Sequence, residues 1–403
     1  MGTRGTALVR LGIAAAGVGL TALVTGAAAG AAGDPDDGGA LRRDARAVWA
    51  TGATGVLVET RDADGDTAWA RAGVADLADG EPVPRAAYFR IGSDTKPFTA
   101  VVALQLVAEG VLGLDDTVEQ WLPGVVSGNG NDGTRITVEN LLRQTSGLAN
   151  YTDILFGDPS ALTPEAYRES RFTPMSDEEQ VALAMTRPPL WLPSANDPAA
   201  ETRWGYSNTN YVLAGMIVEE ATGNSWEQEV HERIIEPLGL DHTLTPGTSA
   251  YVPRPTASGY TRFPGDDELV DTTLAVGGGA DGGIISTTHD MITFLRALMD
   301  GTLLAPEQLA RMKDTVPAED FYGPGTAYGL GIAWAPRCGD GEGLWFHGGT
   351  SFGTVSETAV TDDGTAAASA AVFTITFDER QQAQDDATRA MLDNALCPAP
   401  SGD

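Results

Sequence analysis

Lysine is nearly absent from this 403-residue chain, which contains only Lys96 and Lys313. Arginine can replace lysine wherever a permanent positive charge is needed, but it stays protonated and cannot take a proton from a hydroxyl group. A buried lysine can lose its proton and act as a base. Because Lys96 lies three residues after a serine, in Ser93-Asp94-Thr95-Lys96, we interpret it as a candidate catalytic residue.

Residues that bind transition metals are also scarce. The four histidines (His231, His242, His289 and His347) are widely spaced, and the two cysteines are isolated. This spacing does not match a zinc site, so we expect no metal and no cofactor. We expect Cys338 and Cys397 to form one disulfide, as an oxidising compartment permits, with two free buried thiols as the alternative.

Positive charge is in short supply, with 25 basic residues against 56 acidic ones and a formal net charge of -31. The chain therefore offers no basic face of the kind that phosphate backbones require, and we expect no nucleic-acid partner. The acidity favours solubility but says little about the substrate.

Long apolar runs are missing after the N-terminus. Residues 11–24 are apolar, follow Arg4 and Arg10, and precede a stretch of small residues, which is typical of a signal peptide over residues 1–32. The run is shorter than the ~20 residues that a spanning helix needs. We therefore expect a secreted monomer without a stable membrane anchor.

The remaining pattern predicts an α+β protein. β-like segments occur near both ends of the chain, and helical stretches lie between them. We predict a disordered lead-in at 33–44, a sheet lobe formed by 45–114 and 274–397, a mainly helical lobe at 115–273 and a tail at 398–403. The helix predicted at 96–109 is apolar nearly all round, so it should be buried.

Three short motifs carry candidate chemistry. Ser93 and Lys96 lie on one face of a helix start, where free N–H groups stabilise developing negative charge. Tyr206 and Asn208 are two residues apart, so they can point the same way from an extended stretch and relay a proton or hold a carbonyl. In the third motif, His347 and Thr350 face a cleft beside Gly349, where a ligand backbone can approach closely.

Each motif also has a purely structural interpretation. Ser-x-x-Lys can be a capped helix start with a solvated lysine. Tyr206 and Asn208 can be a packed tyrosine beside a helix cap. His347 can be a buried histidine that packs on a tryptophan. The three motifs together, in this order, are more specific than any one of them.

Their order and spacing resemble the serine β-lactamase-like, penicillin-recognising superfamily, and most of all its secreted serine-type D-alanyl-D-alanine carboxypeptidases. Supporting segments are Phe89-Arg90-Ile91-Gly92, Tyr206-Ser207-Asn208 and Tyr328-Gly329-Leu330-Gly331. The similarity covers residues 45–397. It implies a β-lactamase/transpeptidase-like fold in which helices flank an antiparallel sheet built from both termini.

The resemblance also assigns roles to individual residues. Ser93 is the acylated nucleophile, and Lys96 with Tyr206 transfers the proton, with either of them as the base. Asn208, His347, Gly349 and Thr350 bind the substrate, a small peptide, ester or β-lactam. The N–H groups of Ser93 and Thr350 form the oxyanion hole.

Three positions depart from the family pattern. The arginine that binds a terminal carboxylate is Ala333 here, a histidine is Gln144, and a cleft loop is Gly277-Gly278-Gly279. D-alanyl-D-alanine carboxypeptidase is the expected activity. An esterase, a D-amino-acid amidase or aminopeptidase, and a β-lactamase of the same fold are the alternatives.

Other classes of protein fit less well. Gly-Thr-Ser-Phe-Gly at 349–353 matches the nucleophile elbow of α/β-hydrolases, but no histidine follows Ser351 as that fold requires. Residues 277–282 match a dinucleotide fingerprint only in letters, without a βαβ unit. A non-catalytic cell-wall-binding protein is disfavoured because Ser93, Lys96 and Tyr206 are all present.

Overall fold

Residues 37–397 are described by a computed structural model of the chain. Its strands are β1 (Gly55–Arg61), β2 (Thr67–Gly73), β3 (Phe89–Arg90), β4 (Ser127–Gly128), β5 (Asn131–Asp132), β6 (Tyr260–Arg262), β7 (Val270–Asp271), β8 (Ile285–Ser286), β9 (Val316–Pro317), β10 (Ala327–Tyr328), β11 (Ala333–Ala335), β12 (Leu344–Ser351), β13 (Thr354–Thr361), β14 (Ala367–Val372) and β15 (Thr374–Thr376).

The helices of the same range are α1 (Asp37–Trp49), α2 (Lys96–Ala108), α3 (Val118–Trp121), α4 (Val138–Leu142), α5 (Tyr151–Leu155), α6 (Pro164–Ser170), α7 (Asp177–Ala184), α8 (Asn208–Thr222), α9 (Trp226–Val230), α10 (Glu236–Leu238), α11 (Thr288–Met299), α12 (Pro306–Met312), α13 (Glu319–Tyr322) and α14 (Glu379–Leu396). A 3₁₀ turn at Gly92–Thr95 leads directly into α2.

The main sheet has eight antiparallel strands in the order β2-β1-β14-β13-β12-β11-β10-β9. The pairing of β1 with β14 joins the two ends of the described chain, since Val56 of β1 lies opposite Val372 of β14. The α+β architecture predicted from the sequence, with an antiparallel sheet built from both termini, is confirmed.

Helices cover both faces of this sheet. All six residues of β14 are buried, and four of them are alanine, so helices can pack closely on each side. α11 contacts one face, and α1 and α14 contact the other. α2 is buried nearly all round, as its apolar sequence predicts, and it packs on α8, on α9 and, through Phe98 and Phe294, on α11.

One boundary prediction is wrong. The lead-in expected to be disordered at 33–44 is helical from residue 37, because α1 starts there. Leu41, Ala45 and Val48 recur at helical spacing and are buried against the outer face of the sheet. The polar residues that precede this stripe suggested a loop, while the stripe itself supplies the burial that stabilises the helix. Residues 33–36 lie outside the described range.

The predicted signal peptide at 1–32 and tail at 398–403 also lie outside the described residues. Among residues 37–397, no helix has both the length and the apolar character needed to cross a membrane. β1 and β2 form an antiparallel hairpin around residues 62–66.

α14 is fixed to the sheet near its C-terminal end. Cys397 follows the helix directly and forms a disulfide with Cys338, just after β11, at a sequence separation of 59. Nearby, the buried Arg337 pairs with Glu357 of β13 and with Asp393 of α14, each at 2.5 Å. A covalent bond and an ion-pair network therefore hold the same end of the helix.

Replacing both cysteines with alanine should lower the free energy of unfolding by up to ~4 kcal/mol, because the bond restricts the unfolded chain over a long loop. Urea titration measures the change. The single variant Cys397→Ala should lose as much as the double variant, since either change removes the bond. A double variant as stable as the native protein would contradict a disulfide that stabilises the fold.

Candidate active site

Ser93 and Lys96 meet at the start of α2. The tight Gly92–Thr95 turn precedes the helix, so the two side chains lie on the same side of the backbone. Lys96 Nζ lies 3.0 Å from Ser93 Oγ. Lys96 is fully buried and Ser93 is 8% exposed, so a base and a hydroxyl group lie together in a largely water-free site.

The Lys96 amine has two further partners, both of which can only accept hydrogen bonds. It donates to Asn208 Oδ1 and to the backbone carbonyl of Asp281, each at 2.7 Å. A neutral amine has two N–H groups and one lone pair. When both hydrogens are used on these oxygens, the lone pair is left for the Ser93 hydroxyl, which is the arrangement that a general base requires.

Burial lowers the pKa of Lys96 to about 7, while the negative charges of Asp281 and Asp94 act in the opposite direction. The neutral form of the Lys96 amine is therefore accessible near neutral pH. Burial also raises the pKa of the Asp94 carboxyl well above its usual value, and that group accepts a hydrogen bond from Ser356 Oγ at 2.7 Å.

Tyr206 donates a hydrogen bond to Ser93 Oγ at 2.7 Å. Desolvation raises the pKa of its phenol, which therefore keeps its proton at neutral pH. The ring stacks on Phe321 with centroids 4.9 Å apart and an interplanar angle of 4°. Lys96 Nζ lies 4.9 Å from the ring centroid, so amine, phenol and hydroxyl form one contact group.

Gln144, one of the departures from the family pattern, holds the segment that carries Tyr206. Its backbone carbonyl accepts from Gly205 N and its side-chain Oε1 accepts from Ser207 N, each at 3.0 Å. The residue is fully buried and has a positive φ of 65°, which is uncommon for a residue with a Cβ. Gln144 thus holds the backbone on both sides of Tyr206, through its backbone oxygen on one side and its side-chain oxygen on the other.

Asn208 is the first residue of α8, two positions after Tyr206. Its Oδ1 accepts from Lys96, and its Nδ2 donates to Thr152 Oγ1 at 3.1 Å. Both ends of the amide are therefore used within the protein, and the role of Asn208 in binding substrate stays a prediction.

His347 lies in β12 and is 1% exposed. Its Nδ1 is 2.7 Å from the Gly348 carbonyl, which can only accept, so Nδ1 carries the hydrogen and Nε2 accepts from Tyr328 OH at 3.2 Å. Burial and the charge of Lys96 lower the pKa of His347 to about 3. The imidazole is neutral and supplies no positive charge.

Glycine lets β12 lie directly against the segment that carries the nucleophile. A Cβ on Gly349 would fall 1.7 Å from the Ile91 carbonyl, and a Cβ on Gly92 would fall 2.6 Å from Thr350 N. Gly92 also has a positive φ of 51°. The Thr350 backbone is thus placed beside the Ser93 turn, and the shared oxyanion hole remains a prediction that this proximity supports.

A pocket opens next to these residues. It lies where β12 has an unpaired edge, because β11 pairs only with residues 344–346 of that strand. The residues that line it are Tyr206, Phe321, Tyr322, Phe346, Gly348, Gly349, Thr350, Val355, Ser356, Glu357, Asp385, Thr388 and Arg389. A substrate that enters this pocket reaches the edge of β12 and the Tyr206 phenol together.

Sequence reasoning missed Asp281, whose carbonyl binds Lys96 and whose carboxylate accepts from Tyr151 OH at 2.9 Å. The glycines around it, at 277–283, were the available signal, since they indicate a backbone that packs closely. Ala333 is fully buried in β11 opposite Phe346, so no guanidinium stands at that position.

No group of three or more histidine, cysteine or acidic side chains within residues 37–397 is arranged as a metal site. The expectation that the protein uses no metal stays a prediction.

Several known proteins are similar to this chain in sequence and structure. A D-stereospecific amidohydrolase from Streptomyces sp. has 37% sequence identity and a TM-score of 0.76, over 84% of this chain and 94% of that one. D-amino acid amidase from Ochrobactrum anthropi SV3 has 28% identity and a TM-score of 0.74, over 89% and 97%. Penicillin-binding protein 4* of Bacillus subtilis is 28% identical over 243 residues, which is 56% of this chain and 48%, about half, of that relative.

A sequence model of the beta-lactamase family matches residues 41–395, nearly all of the described range. The structural relatives share the fold, with its antiparallel sheet and flanking helices. The resemblance that the motifs indicated is therefore confirmed, and the chain belongs to the beta-lactamase family, a serine hydrolase family with the fold of penicillin-binding proteins and D-amino acid amidases.

Proposed function

We propose that the protein is a D-stereospecific amidohydrolase that works through an acyl-enzyme on Ser93. The observation that carries the proposal is the direct contact of Ser93 Oγ with both Lys96 Nζ and Tyr206 OH in a nearly dry site. Similarity to a D-stereospecific amidohydrolase and a D-amino acid amidase supports this reaction class. The D-alanyl-D-alanine carboxypeptidase activity expected from the sequence is one case of it, with a D-amino acid as the leaving group.

Acylation begins with neutral Lys96. Its lone pair faces the Ser93 hydroxyl, takes the proton as Oγ attacks the substrate carbonyl carbon, and leaves Lys96 as an ammonium ion. The N–H groups of Ser93 and Thr350 stabilise the negative charge on the carbonyl oxygen. The ammonium ion then donates three hydrogen bonds, to Ser93 Oγ, Asn208 Oδ1 and the Asp281 carbonyl.

Tyr206 completes the proton transfer. The leaving nitrogen needs a proton when the C–N bond breaks, and the protonated phenol beside Ser93 Oγ can donate it. The phenolate then regains a proton from the Lys96 ammonium, which restores both groups. In deacylation, Lys96 accepts a proton from water as the water oxygen attacks the acyl carbon. The Lys96 ammonium returns that proton to Ser93 Oγ as the ester bond breaks, which releases the acid product and free Ser93.

We also propose that the protein is secreted and monomeric. The proposal of secretion depends on the signal-like pattern at 1–32 and on the acidic composition.

Esterase and β-lactamase activities follow from the same acyl-enzyme chemistry when the leaving group is an alcohol or the ring nitrogen of a lactam.

The acyl-enzyme can be trapped with a fluorescent penicillin and detected by intact-mass spectrometry. The native protein should gain one adduct, and Ser93→Ala should gain none, because the reacting oxygen is gone. Ser351→Ala is the matched control: it removes the serine of the hydrolase-like Gly-Thr-Ser-Phe-Gly sequence and should keep the adduct. An adduct that survives in Ser93→Ala, or disappears in Ser351→Ala, would contradict the assignment.

The pH dependence of kcat/KM on a p-nitrophenyl ester reports Lys96. The base must be neutral, and burial lowers its pKa to about 7, so activity should rise with pH through about 7. Lys96→Arg should lower kcat/KM by about 10²- to 10⁴-fold, since a guanidinium cannot accept the proton. An arginine variant with native activity would exclude Lys96 as the base.

Asp281→Asn tests the electrostatics of the same amine. The Asp281 charge favours the ammonium form, so its removal should lower the pKa of Lys96 and move the rising limb to lower pH. Glu165→Gln, an exposed site on α6, is the control for the loss of one negative charge and should leave the limb in place. A limb that stays at about 7 in Asp281→Asn would refute the assignment of that limb to Lys96.

A further inference from the structure

The pocket lined by Tyr206 and Thr350 reaches a part of the protein that the family motifs do not include. Beyond the unpaired edge of β12 its wall is formed by α14, through Asp385, Thr388 and Arg389. Tyr206 and Thr350 line the same pocket, so a ligand that occupies it contacts both the catalytic phenol and this helix.

The charged side chains that line this pocket differ in the contacts that they make within the protein. Glu357 is paired with Arg337 at 2.5 Å, and Arg337 is held in turn by Asp393. The Asp385 carboxylate accepts from Gln381 Nε2 at 2.7 Å. These acidic side chains therefore have partners within the protein.

Arg389 is different. Within residues 37–397 its guanidinium donates no hydrogen bond and forms no ion pair within 4 Å. The adjacent Thr388 is 3% exposed, and its buried Oγ1 also has no hydrogen-bond partner in that range. A buried polar group without a partner is unfavourable, which applies to Thr388 Oγ1. Arg389 is half-buried, and both side chains can donate a hydrogen bond into the pocket.

Asp385 and Asp393, one helical turn before and after Arg389, both attract this cation. Asp393 is already paired with Arg337, and Asp385 does not cancel the cation fully. Burial and the nearby Glu357 charge raise the pKa of Asp385 to about 7, so the group is partly protonated near neutral pH. The pocket wall thus offers a guanidinium fork, which matches the geometry of a carboxylate better than that of a neutral amide or an alcohol.

We propose that Arg389 binds the free carboxylate of the leaving group, so that the enzyme prefers peptides that end in a D-amino acid to the corresponding amides and esters. This inference rests on the proposed acyl-enzyme function and specifies its substrate class. Arg389 of α14 then binds the terminal carboxylate, which Ala333 of β11 cannot bind.

The test compares three substrates that share one acyl group. They are diacetyl-Lys-D-Ala-D-Ala, the same peptide as its C-terminal carboxamide, and the p-nitrophenyl ester of diacetyl-Lys-D-Ala. The native enzyme should prefer the free acid to the carboxamide. Arg389→Gln should lower kcat/KM for the free acid by about 10- to 100-fold, the loss expected for a hydrogen bond to a charged group, and should change the other two by less than about 2-fold.

Two variants sharpen the comparison. Arg389→Lys keeps the charge but loses the fork, so it should fall between the native enzyme and Arg389→Gln on the free acid. Arg380→Gln removes an exposed arginine from the same helix, where it pairs with Asp378, and should behave as the native enzyme does on all three substrates. Turnover of the ester by each variant shows that the site is folded.

Three results would overturn the inference while leaving the Ser93 mechanism intact. They are a native enzyme that does not prefer the free acid, an Arg389→Gln variant with native activity on it, and an equal loss on all three substrates. A different result would contradict the proposed function itself: the native enzyme turns over none of the three substrates, or turnover persists in Ser93→Ala. In that case the Arg389 inference falls with it.

Discussion

The catalytic site depends on keeping the amine of Lys96 out of water. A buried amine needs acceptors, and three segments far apart in the chain supply them: Ser93 before α2, Asn208 at the start of α8, and the Asp281 carbonyl in a glycine-rich loop. The starts of α2 and α8 and the glycine-rich loop must all be in place before this coordination is complete. The same burial lowers the pKa of the amine to the range where it can act as a base, so one desolvated group links folding to chemistry.

Close backbone approach is the second requirement. β12 lies so near the Ser93 turn that neither Gly349 nor Gly92 leaves room for a Cβ. Glycine at these two positions contributes no side-chain packing. Its absence of a Cβ lets the edge of β12 lie beside the nucleophile. Gln144 plays the corresponding part for Tyr206, since its backbone and side-chain oxygens hold the residues on either side of the phenol.

The sequence was most informative where function depends on side chains at fixed spacing. Ser93, Lys96, Tyr206 and His347 could be selected from local motifs, and the buried α2 follows from its apolar composition. Asp281 could not be selected, because a backbone carbonyl that accepts a hydrogen bond has no residue signature. Gln144 looked like a loss from the family pattern, whereas the structure gives it a positioning contact on each side of Tyr206.

The wrong prediction of a disordered lead-in also has a physical cause. α1 was missed because polar residues precede its apolar stripe, and the burial that stabilises it comes from tertiary packing on β2, β1 and α14. Arg389 carries no motif, since its relation to Thr350 arises from the packing of a helix beside a strand edge.

The pairing of β1 with β14 has a consequence for when the enzyme becomes active. Partners such as Val56 and Val372 are separated by most of the chain, so this pairing closes a very long loop and must form late. A ribosome-bound chain that has emerged only through α8 already contains Ser93, Lys96 and Tyr206, yet it has neither the Asp281 carbonyl nor the β12 edge. With the proposed mechanism, the nascent polypeptide is therefore inactive until the segments that carry Asp281 and β12 have been synthesised.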